Sequence, residues 1–531
     1  MSDAPNTPHP LIALRVNYKN AYDAAAMLVY LILLYGWGLW IYPLGRDYEH
    51  LANLGEDMPF LARQLFSFEV KTFGANPVGY HLVNISFMYV CMLLLYHFIN
   101  KSAKGLWWFG TLAASLFMAN PVHSETMHNL SGVADLVPCL AGLLALTAYA
   151  WNVEQGSKAR LGLVLVLACA AAGLYGENAA LGLVLIAYEL LVVRKESRSV
   201  GRGIVIGASA VVTAIVGGHF SNMGEFDLRQ MFAPLYLVFY PIGFLPKTVE
   251  SMHERMWLVW LSIAALFLVI VLIHRKARRP EFIFAILGMM LLRIVPSTRE
   301  VDLVHMLGGG QLLLPNVLFT LGFIIIMFRI MDHPRWRVPM ITITTTLVII
   351  FFLMQWRSLK TWSDAGKYVR DFQAHAREVT QDGEVLGVLP DFRNFKGAPL
   401  ALSESISFDT PFSKRIDHVS LLPVHRPVLT APQQWIASWS ESGGEVALPK
   451  VEEAPRYFYF PHAERITYNE SILLKSIWGD AMPEAAISIV PQENGELRVM
   501  IEGVNLPKTL LPGNVTRKEA NGESKPDTDN Q

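Results

Sequence analysis

The feature that most constrains the fold is a series of apolar runs between residues 24 and 355. A run of ~20 apolar residues crosses the hydrocarbon core of a membrane as a helix, which satisfies its own backbone hydrogen bonds. Eleven runs lie at 24–44, 78–99, 105–119, 136–151, 161–175, 179–193, 203–220, 256–273, 281–296, 312–331 and 338–355. The sequence therefore predicts an α-helical polytopic membrane protein with about 11 transmembrane helices.

Composition agrees with this class. The chain is 52% hydrophobic and 17% charged, with a formal net charge of -1. The basic residues are not concentrated on any segment as a phosphate backbone would require, so we expect no nucleic-acid partner. The three cysteines lie inside apolar runs, which excludes a disulfide framework for the polar C-terminal region.

The basic residues also indicate an orientation. Lys and Arg at 101–104, 158–160, 194–202, 275–279 and 335–337 fall on one side if the N-terminus is cytoplasmic. The first run lacks a following cleavage site, so we expect a retained anchor in the inner (plasma) membrane. If the segment Phe232–Leu245 were a full span, the basic segments before and after it would fall on opposite sides of the membrane. It is therefore predicted to be re-entrant or interfacial. Membrane lipids are then direct partners.

The predicted domains follow from these runs. They are a cytoplasmic segment 1–20, a transmembrane domain 21–356, a small exoplasmic α/β domain 357–510 and a disordered tail 511–531. Alternation at Glu384–Leu389 and Ala486–Val490 predicts strands, and Ser363–Val379 a helix. The tail is too polar to bury enough apolar area to offset its ordering entropy.

The polar segment Asn120–Asp135 stands between two apolar runs and carries His123, Glu125 and His128. The two histidines are five positions apart and so point to different helix faces, which argues against a metal site. No cofactor is identified, and no sequence motif supports a divalent cation. With the predicted orientation, this segment and Asp47 lie on the outward side, where a carboxylate could remove a proton from an acceptor hydroxyl.

Four segments resemble the polytopic GT-C glycosyltransferases, and especially bacterial relatives of the transmembrane and tetratricopeptide-repeat-containing O-mannosyltransferases, without the repeats. They are FGANPVGYHLVN (73–84), NPVHSETMHNLSGVADL (120–136), YGENAALGLVLIAYELL (175–191) and GGGQLLLPN (308–316). These segments have the same order and spacing as in the family, and the resemblance covers residues 20–330. TWSDAG (361–366) and VLPDFRNFKGAP (388–399) are similar to the C-terminal region of the bacterial members.

The resemblance implies transfer of a sugar from a polyprenyl-phosphate donor to an exoplasmic acceptor protein, lipid or glycan. An acidic residue after the first span acts as the base, and Asp47 has that place. Glu125 and His123 are the other expected catalytic-site residues. Four further residues match family positions and would line or brace the cavity, namely His81, Asn84, Asp135 and Glu177. Arg299 and His305, which lie on the outward side, are additional substrate-binding candidates.

Three positions depart from the family pattern. Val133 and Gly310 stand where arginines are expected, and Gly176 where a lysine is expected. Loss of such cations removes charge-assisted hydrogen bonds of about 1.5–3 kcal/mol each to a donor phosphate. Outward cations that could replace them are Arg46, Arg229, Lys247, Arg255, Arg299 and His305, and Arg299 is the preferred candidate.

Three functions are therefore open. The first is an inverting membrane glycosyltransferase with a polyprenyl phosphate as the leaving group. The second is a non-catalytic relative that keeps the lipid groove and serves as a subunit or lipid-binding scaffold of an envelope assembly. The third is a lipid transporter, suggested by the short spans and the re-entrant segment.

Overall fold

A computed structural model gives the fold of residues 10–103, 108–154, 157–193, 198–218, 234, 280–293, 309–331 and 334–380. In the C-terminal part it describes residues 385–390, 394–395, 398–399, 405, 408–415, 419–424, 445–446, 456–459, 487–491 and 497–501. Apart from Pro234, the predicted segment Phe232–Leu245 lies outside the described residues, as do the predicted span 256–273 and the tail 511–531.

The described part is mostly helical. Its α-helices are α1 (Pro10–Tyr35), α2 (Asp47–Ala52), α3 (Phe60–Phe73), α4 (Pro77–Ala103), α5 (Trp108–Ala119), α6 (Ser124–His128), α7 (Val133–Glu154), α8 (Lys158–Leu174), α9 (Leu181–Leu191), α10 (Val200–Val216), α11 (Pro280–Leu292), α12 (Leu313–Met331) and α13 (Pro334–Thr380). Short 3₁₀ helices lie at Gly36–Trp40, Pro121–His123, Leu130–Gly132, Gly176–Asn178 and Gly309–Leu312.

Five helical stretches of the described part are long and apolar enough to cross a membrane. They are Ala21–Trp40, Pro77–Asn100, Leu130–Val153, Gly310–Met327 and Pro334–Arg370. Shorter apolar helices cover Gly110–Ala119, Leu181–Leu191, Val200–Val216 and Pro280–Leu292. The chain is thus a helical membrane protein, and the larger number of spans expected from the sequence remains a prediction.

The helices pack through close contacts at small residues. α4 packs against α5 and α7, α9 packs against α10 and α11, and α11 packs against α12. Gly182 and Gly207 bring α9 and α10 so close that a Cβ at either position would overlap the backbone oxygen of the other. Small residues allow this approach where lipid supplies no hydrophobic force between helices.

An ion pair with a buried carboxylate joins three of these helices. Glu189 of α9 accepts from the Arg202 guanidinium of α10, with 2.7 Å between Arg202 Nη2 and Glu189 Oε1. Tyr149 of α7 donates its hydroxyl to Glu189 Oε2 (2.6 Å), and the backbone N–H of Ser199 donates to Oε1 (2.6 Å). The carboxylate is therefore fully hydrogen-bonded, as a buried charge requires.

Helix α13 joins two elements that the sequence analysis separated, the run 338–355 and the helix Ser363–Val379. Residues 356–362 (WRSLKTW) contain no glycine or proline, so nothing in the chain ends the helix between them. The chain divides into two compact units, Met1–Gly366 and Lys367–Gln531.

The second unit contains short strands. They are β1 (Val385–Pro390), β2 (Asn394–Phe395), β3 (Ala398–Pro399), β4 (Val419–Val424), β5 (Glu445–Val446), β6 (Arg456–Tyr459), β7 (Ile487–Pro491) and β8 (Leu497–Ile501). β1 pairs in parallel with β4 and β6, with Val385 opposite Val419 and Arg456, whereas β8 pairs antiparallel with β5 and β7. An exoplasmic α/β domain here stays a prediction.

Candidate functional site

The segment Asn120–Asp135 is folded into the interior of the first unit. Asn120 begins it by accepting the backbone N–H of Val122 on its side-chain oxygen (3.1 Å), with Pro121 at the first position of the 3₁₀ helix. Gly132 lies so close to Thr126 that a Cβ would overlap the Thr126 carbonyl oxygen. Glycine at this position therefore lets the segment turn tightly from α6 into α7.

Asp47, the predicted base, is fully buried and binds this segment directly. Its Oδ1 accepts the backbone N–H (2.9 Å) and the hydroxyl (2.6 Å) of Ser131. Its Oδ2 accepts the backbone N–H groups of Leu130 (2.9 Å) and Leu44 (3.2 Å). Burial raises the pKa of Asp47, and the hydrogen bonds from Ser131, Leu130 and Leu44 act in the opposite direction.

His81 and Asn84 lie one turn apart on the inner side of α4. His81 Nε2 donates to the carbonyl oxygen of Ile41 (3.2 Å), and Asn84 Nδ2 donates to that of Asn129 (2.9 Å). The side-chain oxygens of Asn84 and Asn129 and Nε2 of His128 are buried and have no hydrogen-bond partner among the described residues. A buried polar group without a partner is unfavourable, so these atoms indicate where a polar ligand could bind.

His123 is bound by α12. Asn316 Nδ2 donates to His123 Nε2 (2.7 Å), and Asn120 Nδ2 lies 3.4 Å from Asn316 Oδ1. Burial lowers the pKa of His123 and that of His128 to about 3, and His81 adds a second lowering effect at His128. Both imidazoles are therefore neutral at neutral pH, and His123 presents Nε2 as an acceptor.

A chain of polar side chains connects the segment to α13 and α1. Ser124 Oγ donates to Gln355 Oε1 (2.9 Å), and Gln355 Nε2 donates to the hydroxyl of Tyr35 (2.7 Å). Tyr35 in turn donates to the carbonyl oxygen of Met118 (2.8 Å). The sequence analysis missed Gln355, Tyr35 and Asn316, because each is a single polar group within an apolar run. A lone polar residue within an apolar run is the sequence signal that could have identified these three residues.

Asp135 occupies the space that a side chain at residue 310 would need. Thr126 Oγ1 donates to Asp135 Oδ2 (3.0 Å), and a Cβ at Gly310 would overlap this carboxylate. Val133, the second uncharged position, is fully buried. The site therefore has no room for the arginine that the resemblance expects at 310.

The remaining predicted residues are placed as follows. Glu125 is half-buried in α6, and Glu177 belongs to the 3₁₀ helix Gly176–Asn178. Asn178 binds this helix to α7 by donating to the carbonyl oxygen of Pro138 (2.8 Å). Arg299 and His305 lie outside the described residues.

Arg293 is a buried cation that the sequence analysis did not select. It follows the last residue of α11, is 5% exposed, and donates from Nη1 to Gln311 Oε1. Gln311 is adjacent to Gly310, which contacts Asp135. An arginine inside an apolar run (LLRIVP) is the signal that could have found it.

Among the residues that the structure describes, no group of three His, Cys, Asp or Glu side chains could hold a metal ion.

The fold and the site define a multi-helix membrane protein with a buried polar centre. Comparison with known proteins finds relatives that are similar to part of this chain. The chain is 33% identical over 97 residues to Protein O-mannosyl-transferase TMTC1 of Mus musculus, covering 17% of this chain and 10% of that protein. It is 35% identical over 99 residues to Protein O-mannosyl-transferase Tmtc1 of Drosophila melanogaster, covering 18% and 11%.

A third relative is Protein O-mannosyl-transferase Tmtc2 of Drosophila melanogaster, at 32% identity over 118 residues, or 21% of this chain and 12% of that protein. The chain thus matches about a tenth of the length of these curated relatives. No protein-family model matches it. The similarity supports a relationship to membrane glycosyltransferases.

Proposed function

We propose that this protein is an integral membrane glycosyltransferase that moves a sugar from a polyprenyl-phosphate donor to an exoplasmic acceptor with inversion at the anomeric carbon. The observation that carries the proposal is the convergence of distant segments on Asn120–Asp135. Asp47, Asn84, Asn316 and Gln355 come from four different helices and bind this segment within the interior. The partial similarity to O-mannosyl-transferases favours this chemistry.

Arg293 is the described cation best placed to meet the donor phosphate. A planar guanidinium binds two phosphate oxygens at once, and its charge compensates the charge that develops on the leaving group. Because Arg293 is held by Gln311 next to the contact between Gly310 and Asp135, it can take the role of the absent arginine at 310. Arg299 and His305 remain further candidates for the same role.

Asp47 is the proposed base. The acceptor hydroxyl oxygen attacks the anomeric carbon, the bond from this carbon to the phosphate oxygen breaks, and its electron pair stays on the phosphate. The acceptor proton goes to Asp47. Three of the four donors to Asp47 are backbone N–H groups, whereas the Ser131 hydroxyl leaves Oδ1 by a rotation about one side-chain bond. The acceptor hydroxyl then takes the place of this hydroxyl.

The sugar is proposed to meet the unpartnered amide oxygens of Asn84 and Asn129 and Nε2 of His128. The two amide oxygens accept from the hydroxyl groups of a sugar ring, and the imidazole nitrogen pairs with a hydroxyl as donor or as acceptor. Glu125 and His123 shape the site, with His81 and Asp135 bracing it, and Glu177 stays a candidate on the resemblance alone. Mannose is the first sugar to test because the relatives are named O-mannosyl-transferases.

The experiment is a transfer assay in liposomes with polyprenyl-phosphate mannose labelled in the sugar and with envelope extract as the acceptor source. Wild-type protein is expected to release the polyprenyl phosphate and label the acceptor. Asp47→Asn and Arg293→Gln are expected to lower the rate at least tenfold, whereas Arg63→Gln on the exposed side of α3 is expected to retain it. Retained transfer by Asp47→Asn would reject Asp47 as the base.

A second candidate is a non-catalytic lipid-binding scaffold. The observation that favours it is the carboxylate of Asp47, whose oxygens are already satisfied by four donors, together with the uncharged Val133 and Gly310. Such a protein would bind the polyprenyl phosphate but turn over no sugar. Lipid binding without transfer of any tested sugar, and an Asp47→Asn variant that keeps its cellular role, would support this candidate.

A further inference from the structure

Helix α3 has an inverted distribution of polar and apolar side chains. Phe60, Leu61 and Phe68 are exposed, by 64%, 44% and 63%. The buried side carries Phe66 and the acid Glu69, which is 2% exposed. In a water-soluble protein an exposed apolar face and a buried acid would both be unfavourable. The helix is therefore suited to an apolar surrounding on its outer face and to a specific role for the inward acid.

The carboxyl group of Glu69 has no hydrogen-bond partner among the described residues at either oxygen. The nearby Tyr80 hydroxyl donates instead to the carbonyl oxygen of Gly74 (2.9 Å). Asp47 differs, since four donors satisfy its oxygens. A buried carboxylate without donors is expensive, and protonation removes the charge. Burial accordingly raises the pKa of Glu69 to about 8.

The described groups around Glu69 do not supply a compensating positive charge. α3 packs against α4 and α7, whose titratable residues nearest the outward loops are Tyr80 and His81 on α4 and Asp135 on α7. Tyr80 interacts electrostatically with both Glu69 and Asp47, so the two acids belong to one region. Asp135 accepts from Thr126.

The remaining charged neighbours are on α2 and on α3 itself. The ring of His50 lies edge-on to Phe66 with 6.4 Å between the centroids. Arg63 pairs with the exposed Glu56 (3.5 Å), and Lys71 is exposed. None of these described groups forms an ion pair with Glu69. The inner side of α3 therefore holds an acid whose stable form is the neutral one.

We propose that Glu69 is a proton-binding site of this protein, a carboxylic acid that carries its proton at neutral pH and exchanges it at the inner face of α3 beside the site of Asp47. The ligand is the proton itself. The proposal stands on the burial, the two unpartnered oxygens and the absence of a cationic partner among the described residues, and it does not require sugar transfer.

A lipophilic carbodiimide tests this directly, because it reacts with protonated carboxyl groups in apolar surroundings. The carboxyl adds across one N=C bond, and the acyl group migrates to nitrogen to give a stable N-acylurea, so that no atom is lost. Full-length protein in nanodiscs is treated with dicyclohexylcarbodiimide at several pH values and digested with trypsin. The peptide Gln64–Lys71 contains Glu69 as its single carboxyl side chain, so its mass reports the modification.

Labelling of this peptide is expected at pH 6.5 and is expected to fall roughly 30-fold by pH 9.5, as the acid form disappears around pH 8. The matched control is the exposed carboxyl of Glu56, which fragment spectra of the preceding tryptic peptide are expected to show unlabelled. Glu69→Gln removes the site and serves as the blank for the peptide. Absent labelling at pH 6.5, or labelling that does not change with pH, would overturn the proposal, whether or not transfer is observed.

Discussion

Ser131 donates to Asp47 twice, from its backbone nitrogen at 2.9 Å and from its hydroxyl at 2.6 Å. The contact joins the residue after the first apolar run to the segment Asn120–Asp135, 84 positions later in the chain. Because both groups are buried, the pair holds the segment in place as well as holding a carboxylate at the site. The same atoms therefore determine stability and the proposed chemistry.

Removing either partner separates these two roles. Ser131→Ala deletes one hydrogen bond to a charged group, about 1.5–3 kcal/mol. Asp47→Ala is expected to destabilise the protein more, because it leaves the buried N–H groups of Leu130, Ser131 and Leu44 unpaired. The melting temperatures of the purified variants in detergent measure this. Equal melting temperatures for wild type and Asp47→Ala would show that the carboxylate does not hold the segment.

Gly310→Ala is expected to lower the melting temperature, because its Cβ would overlap Asp135. Overpacking of this kind costs about 1–3 kcal/mol. Gly162→Ala in α8 is the matched control, since open space surrounds that position, and alanine there should be neutral or stabilising by about 0.5–1 kcal/mol. The double variant Gly310→Ala, Asp135→Gly should recover the loss. No recovery would mean that Asp135 is not the obstacle.

Arg202→Ala should be strongly destabilising, because it leaves the buried carboxylate of Glu189 without its cation. Breaking a buried pair in this way costs about 3–5 kcal/mol. Arg63→Ala breaks the exposed pair with Glu56 and should cost less than about 1 kcal/mol. Thermal melting of both variants gives the comparison, and similar effects of the two substitutions would contradict the buried network.

Acid should weaken the centre of the first unit. Burial lowers the pKa of His123 and of His128 to about 3, so both are neutral in the folded protein near neutral pH. Their contribution is full above about pH 6.5, the value for an unfolded histidine, and is lost as the pH falls towards 3. Each histidine contributes up to about 1.4 kcal/mol per pH unit in this window.

The check is the melting temperature of wild type and of the variant His123→Gln, His128→Gln between pH 7 and pH 4.5. The wild-type value should fall more steeply, since glutamine takes up no proton there. Parallel curves would show that the buried imidazoles do not titrate with unfolding.

The sequence singled out Asn120–Asp135 because His123, Glu125 and Asp135 interrupt long apolar runs, and the structure folds this segment into the interior. It also located most described helices, since apolar length is a local property. It did not predict that Asp47 would be saturated with hydrogen bonds, that Gly310 would face Asp135, or that α13 would continue past residue 355. The first two depend on contacts between residues far apart in the chain, which no local pattern contains.

Arg293 shows the same distinction at one position. An arginine within an apolar run was visible in the sequence, but its contact with Gln311 follows from how α11 meets the 3₁₀ helix Gly309–Leu312. The local sequence favours Arg299, because it follows Pro296, where the chain leaves the apolar run. The structure adds Arg293, which lies within the described residues, as an alternative to Arg299 for the proposed phosphate-binding cation.

Native mass spectrometry of the protein in nanodiscs formed from its own membrane tests the central claim most directly. A polyprenyl-phosphate sugar should co-purify with wild type and with Arg63→Gln, and should be lost from Arg293→Gln because the phosphate no longer meets a buried guanidinium. The mass of the bound lipid would identify the sugar. The absence of any polyprenyl-linked lipid from wild-type protein would contradict the account.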